Sequence, residues 1–160
     1  MKYRRIFLNH YSYFLTVVTH RRKPILIEHI DSLRTAFKLS KTKYSYTIDA
    51  IVILPDHLHM VITPKVVTDY PKIIAYIKKS FIYGLPQALK DEGRAEISSA
   101  KYNRRHGGIW QERFYEHTIR DEKDWQETMD YIKHNPIKHN LVGDLNDWEY
   151  SSFYKTIGKP

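Results

Sequence analysis

His57 and His59 are separated by a single leucine inside an apolar run, His57-Leu58-His59-Met60-Val61-Ile62. In an extended strand, side chains two apart stand on one face about 6.6 Å from each other. The two imidazoles therefore converge, while Leu58, Met60 and Ile62 point the other way, under whatever covers the sheet. Two nitrogens on a rigid support make a metal site that lacks a ligand; the same spacing also fits two surface histidines on a half-exposed strand. Tyr131 and Asn135 form a second pair. Four residues apart, they share a helical stripe one turn from each other, with Trp125, Met129 and Ile132 rotated away into the core, so a phenol and an amide face outward together. An amide oxygen is a suitable hard ligand for a divalent ion that also takes imidazole, and a tyrosine hydroxyl can form covalent intermediates. A half-buried packing tyrosine and an asparagine that ends a helix before Pro136 fit this pattern as well. Spacing alone does not bring the strand and the helix together.

The elements that must position these residues follow from periodicity. Residues 13–19 (YFLTVVT) are β-branched and aromatic and predict a first strand. After the basic turn Arg21-Arg22-Lys23, the recurrence of Leu26, Ile30, Leu33 and Phe37 predicts a helix starting near Pro24. Residues 46–54 and 57–63 predict two strands joined through Pro55-Asp56, hence a hairpin. A helix over 69–83 carries Ile73, Ile74, Ile77 and Phe81 on one stripe and Lys72 and Lys79 on another. Residues 84–108 mix Pro, Gly, Ser and charge and predict a mobile loop. Residues 109–119 predict a fourth strand, and Asp121 caps a last helix that Pro136 stops after Asn135. The order describes an α+β chain: a ferredoxin-like or RRM-like antiparallel four-stranded sheet, with helices packed on one face and an extra C-terminal helix that carries the site.

Composition limits what such a fold can be for. At 160 residues the chain fits one domain, 1–160, with enough interior to fold without staples. It has no cysteine, which removes disulfides, thiolate zinc sites and cysteine nucleophiles, and it carries 42% apolar and 28% charged residues, which argues against disorder. No apolar stretch is long enough to span a membrane without a charge, and Asn9, His10, Tyr11 and Ser12 interrupt what would be a signal peptide after Met1–Arg5. A cytoplasmic protein is expected. The net charge of +8 favours an anionic partner, and 13 Tyr, 6 Phe and 3 Trp suit the stacking of unpaired bases.

The residues also carry a family resemblance over nearly the whole chain. Tyr3-Arg4-Arg5, Leu54-Pro55-Asp56-His57-Leu58-His59, the run from Trp110 to His117, Ile119-Arg120, Asp130-Tyr131-Ile132 and Asn135-Pro136 with Lys138 occur in the order found in single-tyrosine HUH transposases. The chain most closely resembles the REP-associated tyrosine transposases (IS200-like). Trp148 and Ser151 to Phe153 are similar as well, whereas 84–108 is longer and more basic than compact members carry. The resemblance implies Tyr131 as nucleophile, His57 and His59 as metal-binding histidines with Asn135 as third ligand, and Mg²⁺ or Mn²⁺ as the ion. It implies a single-stranded DNA endonuclease and strand transferase, acting in DNA transposition and recombination through a 5′-phosphotyrosine intermediate. The implied substrate is DNA beside a hairpin, such as the repetitive extragenic palindromes (REP) of bacterial chromosomes; the protein would work at the nucleoid as a monomer or homodimer.

A phenol with a pKa of about 10 is roughly 0.1% ionised at neutral pH, a deficit of about 4 kcal/mol that a divalent ion at the phosphate would help offset. Arg4, Arg5, Arg21, Arg22, Lys72, Lys79, Arg104 and Arg105 are candidates for phosphate contacts, and His117, inside the fourth strand, is a supporting candidate. His134 and His139 are expected at the surface. Tyr115 and Tyr150 rank below Tyr131 as nucleophiles. Two rival functions share the sequence features: a non-catalytic module binding single-stranded nucleic acid, and a metal-dependent phosphodiesterase that uses water.

Overall fold

The computed structural model of the chain describes residues 11–104 and 106–154. Four strands, β1 (Ser12–Val18), β2 (Tyr46–Ile53), β3 (His57–Pro64) and β4 (Tyr115–Ile119), form one antiparallel sheet in the order β2-β3-β1-β4. The β2–β3 hairpin turns at Pro55-Asp56, where the sequence signals it. Alternation along the strands divides the apolar residues between two faces. Tyr13, Leu15, Val17, Leu58, Met60 and Ile62 pack beneath α1 (Ile30–Lys43) and α2 (Tyr70–Tyr83), against Leu33, Ile73, Ile77 and Phe81. The other face presents Phe14, Val52 and Val61 to a helix of its own, α5 (Glu122–Lys138), through Ile132, Trp125 and Met129. Helices therefore cover both faces, and the last one lies alone on the face that carries His59.

Several elements differ in extent from the periodicity. Helix α1 begins at Ile30, not near Pro24, because the Leu26 amide pairs with the Pro55 carbonyl and ties that stretch to the hairpin turn. Pro136 does not stop α5, which runs on to Lys138. Proline removes one amide, but downstream bonds from His139 N to Asn135 O and from Asn140 N to Ile137 O hold the last turn, and Asn140 leaves the helix at φ 57°. Strand β4 begins at Tyr115 instead of Ile109. Trp110 makes one isolated bridge to Thr19, then drives its indole under α2, donating to Lys78 O and packing on Phe81.

The expected mobile loop is folded. Residues 84–108 contain α3 (Gln87–Ala95) and α4 (Ser99–Asn103). Glu96, just past α3, accepts Lys23 Nζ at 2.7 Å and faces Arg21 and His20, which pins the segment to the basic turn after β1. Gly93 and Gly108 meet backbone to backbone: a Cβ on Gly108 would fall 2.0 Å from Gly93 O, and Gly108 sits at φ +72°. Beyond α5, Trp148 Nε1 donates to Ile53 O, and the amides of Ile53 and Ser152 pair with Tyr150 and Ile51 carbonyls. This segment covers the exposed edge of β2, which would otherwise offer unpaired backbone groups.

Candidate active site

The two histidines of β3 stand on the α5 face, as alternation requires, with ring centroids 4.9 Å apart. Each is held through Nδ1. His57 Nδ1 bonds Asp56 Oδ1 at 2.6 Å, and Thr16 Oγ1, directly across the β1–β3 ladder, bonds His59 Nδ1 at 2.7 Å. Orientation through the second ring nitrogen is the usual arrangement for metal-binding imidazoles. The Asp56 carboxyl is raised by burial, but its hydrogen bonds to His57 and Arg22 outweigh that and hold it below the usual range. Burial, reinforced by the nearby charges of His57, His139, Lys138 and Arg22, lowers His59 to about 3. Its ring is neutral at physiological pH and free to act as a ligand.

Helix α5 brings the second pair onto this strand. Asp121 caps it by accepting the Asp124 amide, and Ile132 anchors it in the core of that face. Tyr131 is exposed at 39%, and its ring stands 5.2 Å from that of His59 and 5.8 Å from that of Phe14. Asn135 does not face outward as the helical spacing suggested. It is wholly buried, although Tyr131, one turn earlier on the same stripe, reaches solvent. Among the described residues its Oδ1 and Nδ2 have no partner, nor has His59 Nε2, and all three atoms are buried. Unpaired polar atoms in an interior are costly, so these three are candidates for holding a ligand. Two imidazoles and an amide oxygen suit a divalent ion of the Mg²⁺ or Mn²⁺ type. No three His, Cys, Asp or Glu side chains converge as metal ligands among the described residues; a third donor from Asn135 would be an amide.

A cavity of about 500 Å³ opens over His57, His59 and Tyr131, and Arg22, Tyr115, Lys138 and His139 complete its wall. Lys138 Nζ lies 4.9 Å from the centre of the Tyr131 ring. His139, expected only at the surface, is exposed but stands with its ring 5.1 Å from His57, and partial burial followed by the His57 charge lowers its pKa. Its position four residues after Asn135 on the same stripe was a readable signal. Thr16 and Asp56 carried no such signal: their role depends on ladder register and on the hairpin turn.

The remaining candidates separate. His117 Nε2 binds both Asp124 oxygens at 2.8 Å and shares a smaller cavity of about 350 Å³ with Tyr131. Arg22 enters the main cavity, whereas Arg21 turns to Glu96 and Lys72 pairs with Asp69 at 3.5 Å. Lys79 lines a separate cavity of about 810 Å³ with Tyr102 and Trp110, and Arg104 follows α4. Arg4, Arg5 and Arg105 lie outside the described residues.

The model of a protein family described as "Transposase IS200 like" matches residues 7–135. A Haemophilus influenzae protein named for the REP-associated tyrosine transposases is 39% identical over 157 residues, 97% of this chain and 86% of its own. A REP-associated tyrosine transposase of Escherichia coli is 32% identical over 160 residues, 99% of this chain and 86% of its own. Among solved structures, a REP-associated tyrosine transposase bound to a REP hairpin superposes with a TM-score of 0.75 at 31% identity, covering 96% of this chain and 82% of that one.

Proposed function

The chain belongs to the IS200-like transposase family, and from that premise we propose that it cleaves and rejoins single-stranded DNA beside REP-like hairpins, with Tyr131 as nucleophile. The observation that carries this reading is the approach of the Tyr131 ring to 5.2 Å from that of His59, whose Nε2 is buried and has no partner among the described residues. The similar structure is in complex with a REP hairpin, which supports the same substrate class for this chain.

In the proposed reaction Tyr131 Oη bonds to phosphorus as the P–O3′ bond breaks, and the electron pair of that bond goes to O3′. The phenol proton passes to solvent and O3′ takes one from solvent, leaving a 5′-phosphotyrosyl end and a 3′-hydroxyl. Attack by a 3′-hydroxyl on the adduct reverses these steps, so strands rejoin without a high-energy cofactor. His57, His59 and Asn135 would hold Mg²⁺ or Mn²⁺, which supplies Lewis-acid charge to a non-bridging oxygen. Asp56 and Thr16 hold the two imidazoles through Nδ1. Phe14 supports the Tyr131 ring from beneath, which favours one attack geometry.

Covalent trapping tests the reading. A labelled hairpin oligonucleotide with Mn²⁺ should give label that stays with denatured protein in the wild type and is absent in Tyr131→Phe. Cleavage that persists in Tyr131→Phe would point to attack by water, and tight binding without cleavage would leave a binding module.

A further inference from the structure

Arg21 and Arg22 are consecutive non-glycine residues in the left-handed region, both at φ 52°. L-residues avoid this conformation for steric reasons and persist in it where surrounding contacts enforce it, most often at functional sites. Here the enforcement is visible. Buried Thr19 donates its hydroxyl to Lys23 O and Asp56 O and its amide to Asp56 O, while the Arg22 amide returns to Thr19 O. Lys23 is tied to Glu96 on one side of the turn, and the His20 amide to Ile109 O on the other.

The strained turn sends its two arginines in opposite directions. Arg21 faces Glu96, outside the cavity; Arg22 enters the cavity that holds His57, His59 and Tyr131. There its Nη1 meets Asp56 Oδ2 at 3.3 Å, and the other oxygen of Asp56 holds His57. A guanidinium has five donors in a rigid fork, so one arm on Asp56 leaves the others for a phosphate, in the bidentate geometry that a lysine cannot copy. The side chain is 60% exposed, so a strand entering the cavity can reach it.

Building on the transposase reading, we infer that Arg22 is a catalytic residue, the clamp on the scissile phosphate beside Tyr131, aimed there by a left-handed turn retained for that purpose. It is thus distinct from Arg21, Lys72 and Lys79, which lie outside that cavity and would contribute to general attraction of DNA.

The test uses the Tyr131→Phe protein, so that nothing is cleaved, and hairpin oligonucleotides with single-stranded flanks in which one phosphate at a time is an uncharged methylphosphonate. One position should cost about tenfold or more in affinity, the value of a charge-assisted pair, and adding Arg22→Ala should abolish the penalty at that position only. A uniform loss across all positions, a penalty that survives Arg22→Ala, or no position-specific penalty at all overturns the inference. Arg22→Gly in the otherwise wild-type chain supplies the second measurement. With strain relieved, its melting temperature should hold or rise while single-turnover adduct formation falls about 100-fold, the scale of losing one transition-state donor, with partial rescue by methylguanidine. A lower melting temperature without that fall indicates a structural role and overturns the inference. A phosphate coupled to Arg22 in a protein that forms no adduct overturns the transposase reading instead, whereas adduct chemistry dependent on Tyr131 without any such coupling leaves that reading intact.

Discussion

Thr16 on β1 and His59 on β3 face each other across the sheet and are joined by a 2.7 Å hydrogen bond between Oγ1 and Nδ1. The bond turns a strand register into a chemical constraint, since it leaves Nε2 of His59 to aim at α5. Thr16→Val keeps the shape and removes the bond. Mn²⁺ affinity, read by isothermal titration, should fall roughly 10- to 100-fold, the usual cost of losing such a partner; an unchanged affinity would count against His59 as a ligand.

Asn135 gives a prediction of opposite sign for stability. Its buried amide lacks a partner among the described residues, and such a group costs about 1–3 kcal/mol. Asn135→Leu, similar in volume, should therefore stabilise the metal-free protein, raising its melting temperature by roughly 2–4 °C per kcal/mol. It should also eliminate the further rise that Mn²⁺ produces in the wild type. A lower melting temperature with the Mn²⁺ response retained would contradict the assignment.

His59 should make the metal-free protein sensitive to acid. An unfolded histidine titrates near 6.5, while burial brings folded His59 to about 3. Between those values the unfolded state binds more protons, so stability falls as pH drops from 6.5 towards 3, by at most about 1.4 kcal/mol per pH unit from this group. Urea titrations in EDTA at pH 7 and pH 5 should show a smaller loss for His59→Gln than for the wild type. Equal losses would place the acid sensitivity elsewhere.

Gly108→Ala tests the folded state of residues 84–108. The substitution adds a Cβ 2.0 Å from Gly93 O at a residue held at φ +72°, combining left-handed strain with overpacking, together about 2–4 kcal/mol. Hydrogen exchange should accelerate across α3 before it does in the sheet. Unchanged protection in α3 would mean that the glycine contact does not hold the segment.

Much of this architecture is legible in the residues themselves. Alternation in β3 put His57 and His59 on one face and Leu58, Met60 and Ile62 on the other, because a pleated strand has a period of two whatever surrounds it. The stripe shared by Tyr131 and Asn135 is equally local, a consequence of 3.6 residues per turn. Local rules stop where a helix must choose what to face. Nothing in the spacing of 131 and 135 says that Asn135 turns inward while Tyr131 stays exposed, and Asn135 is buried because α5 lies on the sheet face opposite α1 and α2. The segment 84–108 reads as a loop because its helices are short and polar; it is ordered by contacts with distant partners, Glu96 with Lys23 and Gly108 with Gly93. Chemistry-bearing residue types and their positions along each element are thus set by chain-local geometry. Their convergence, the burial that keeps His59 neutral, and the turn that separates Arg22 from Arg21 arise from long-range packing, which the free energy of the whole chain selects and no short window of residues encodes.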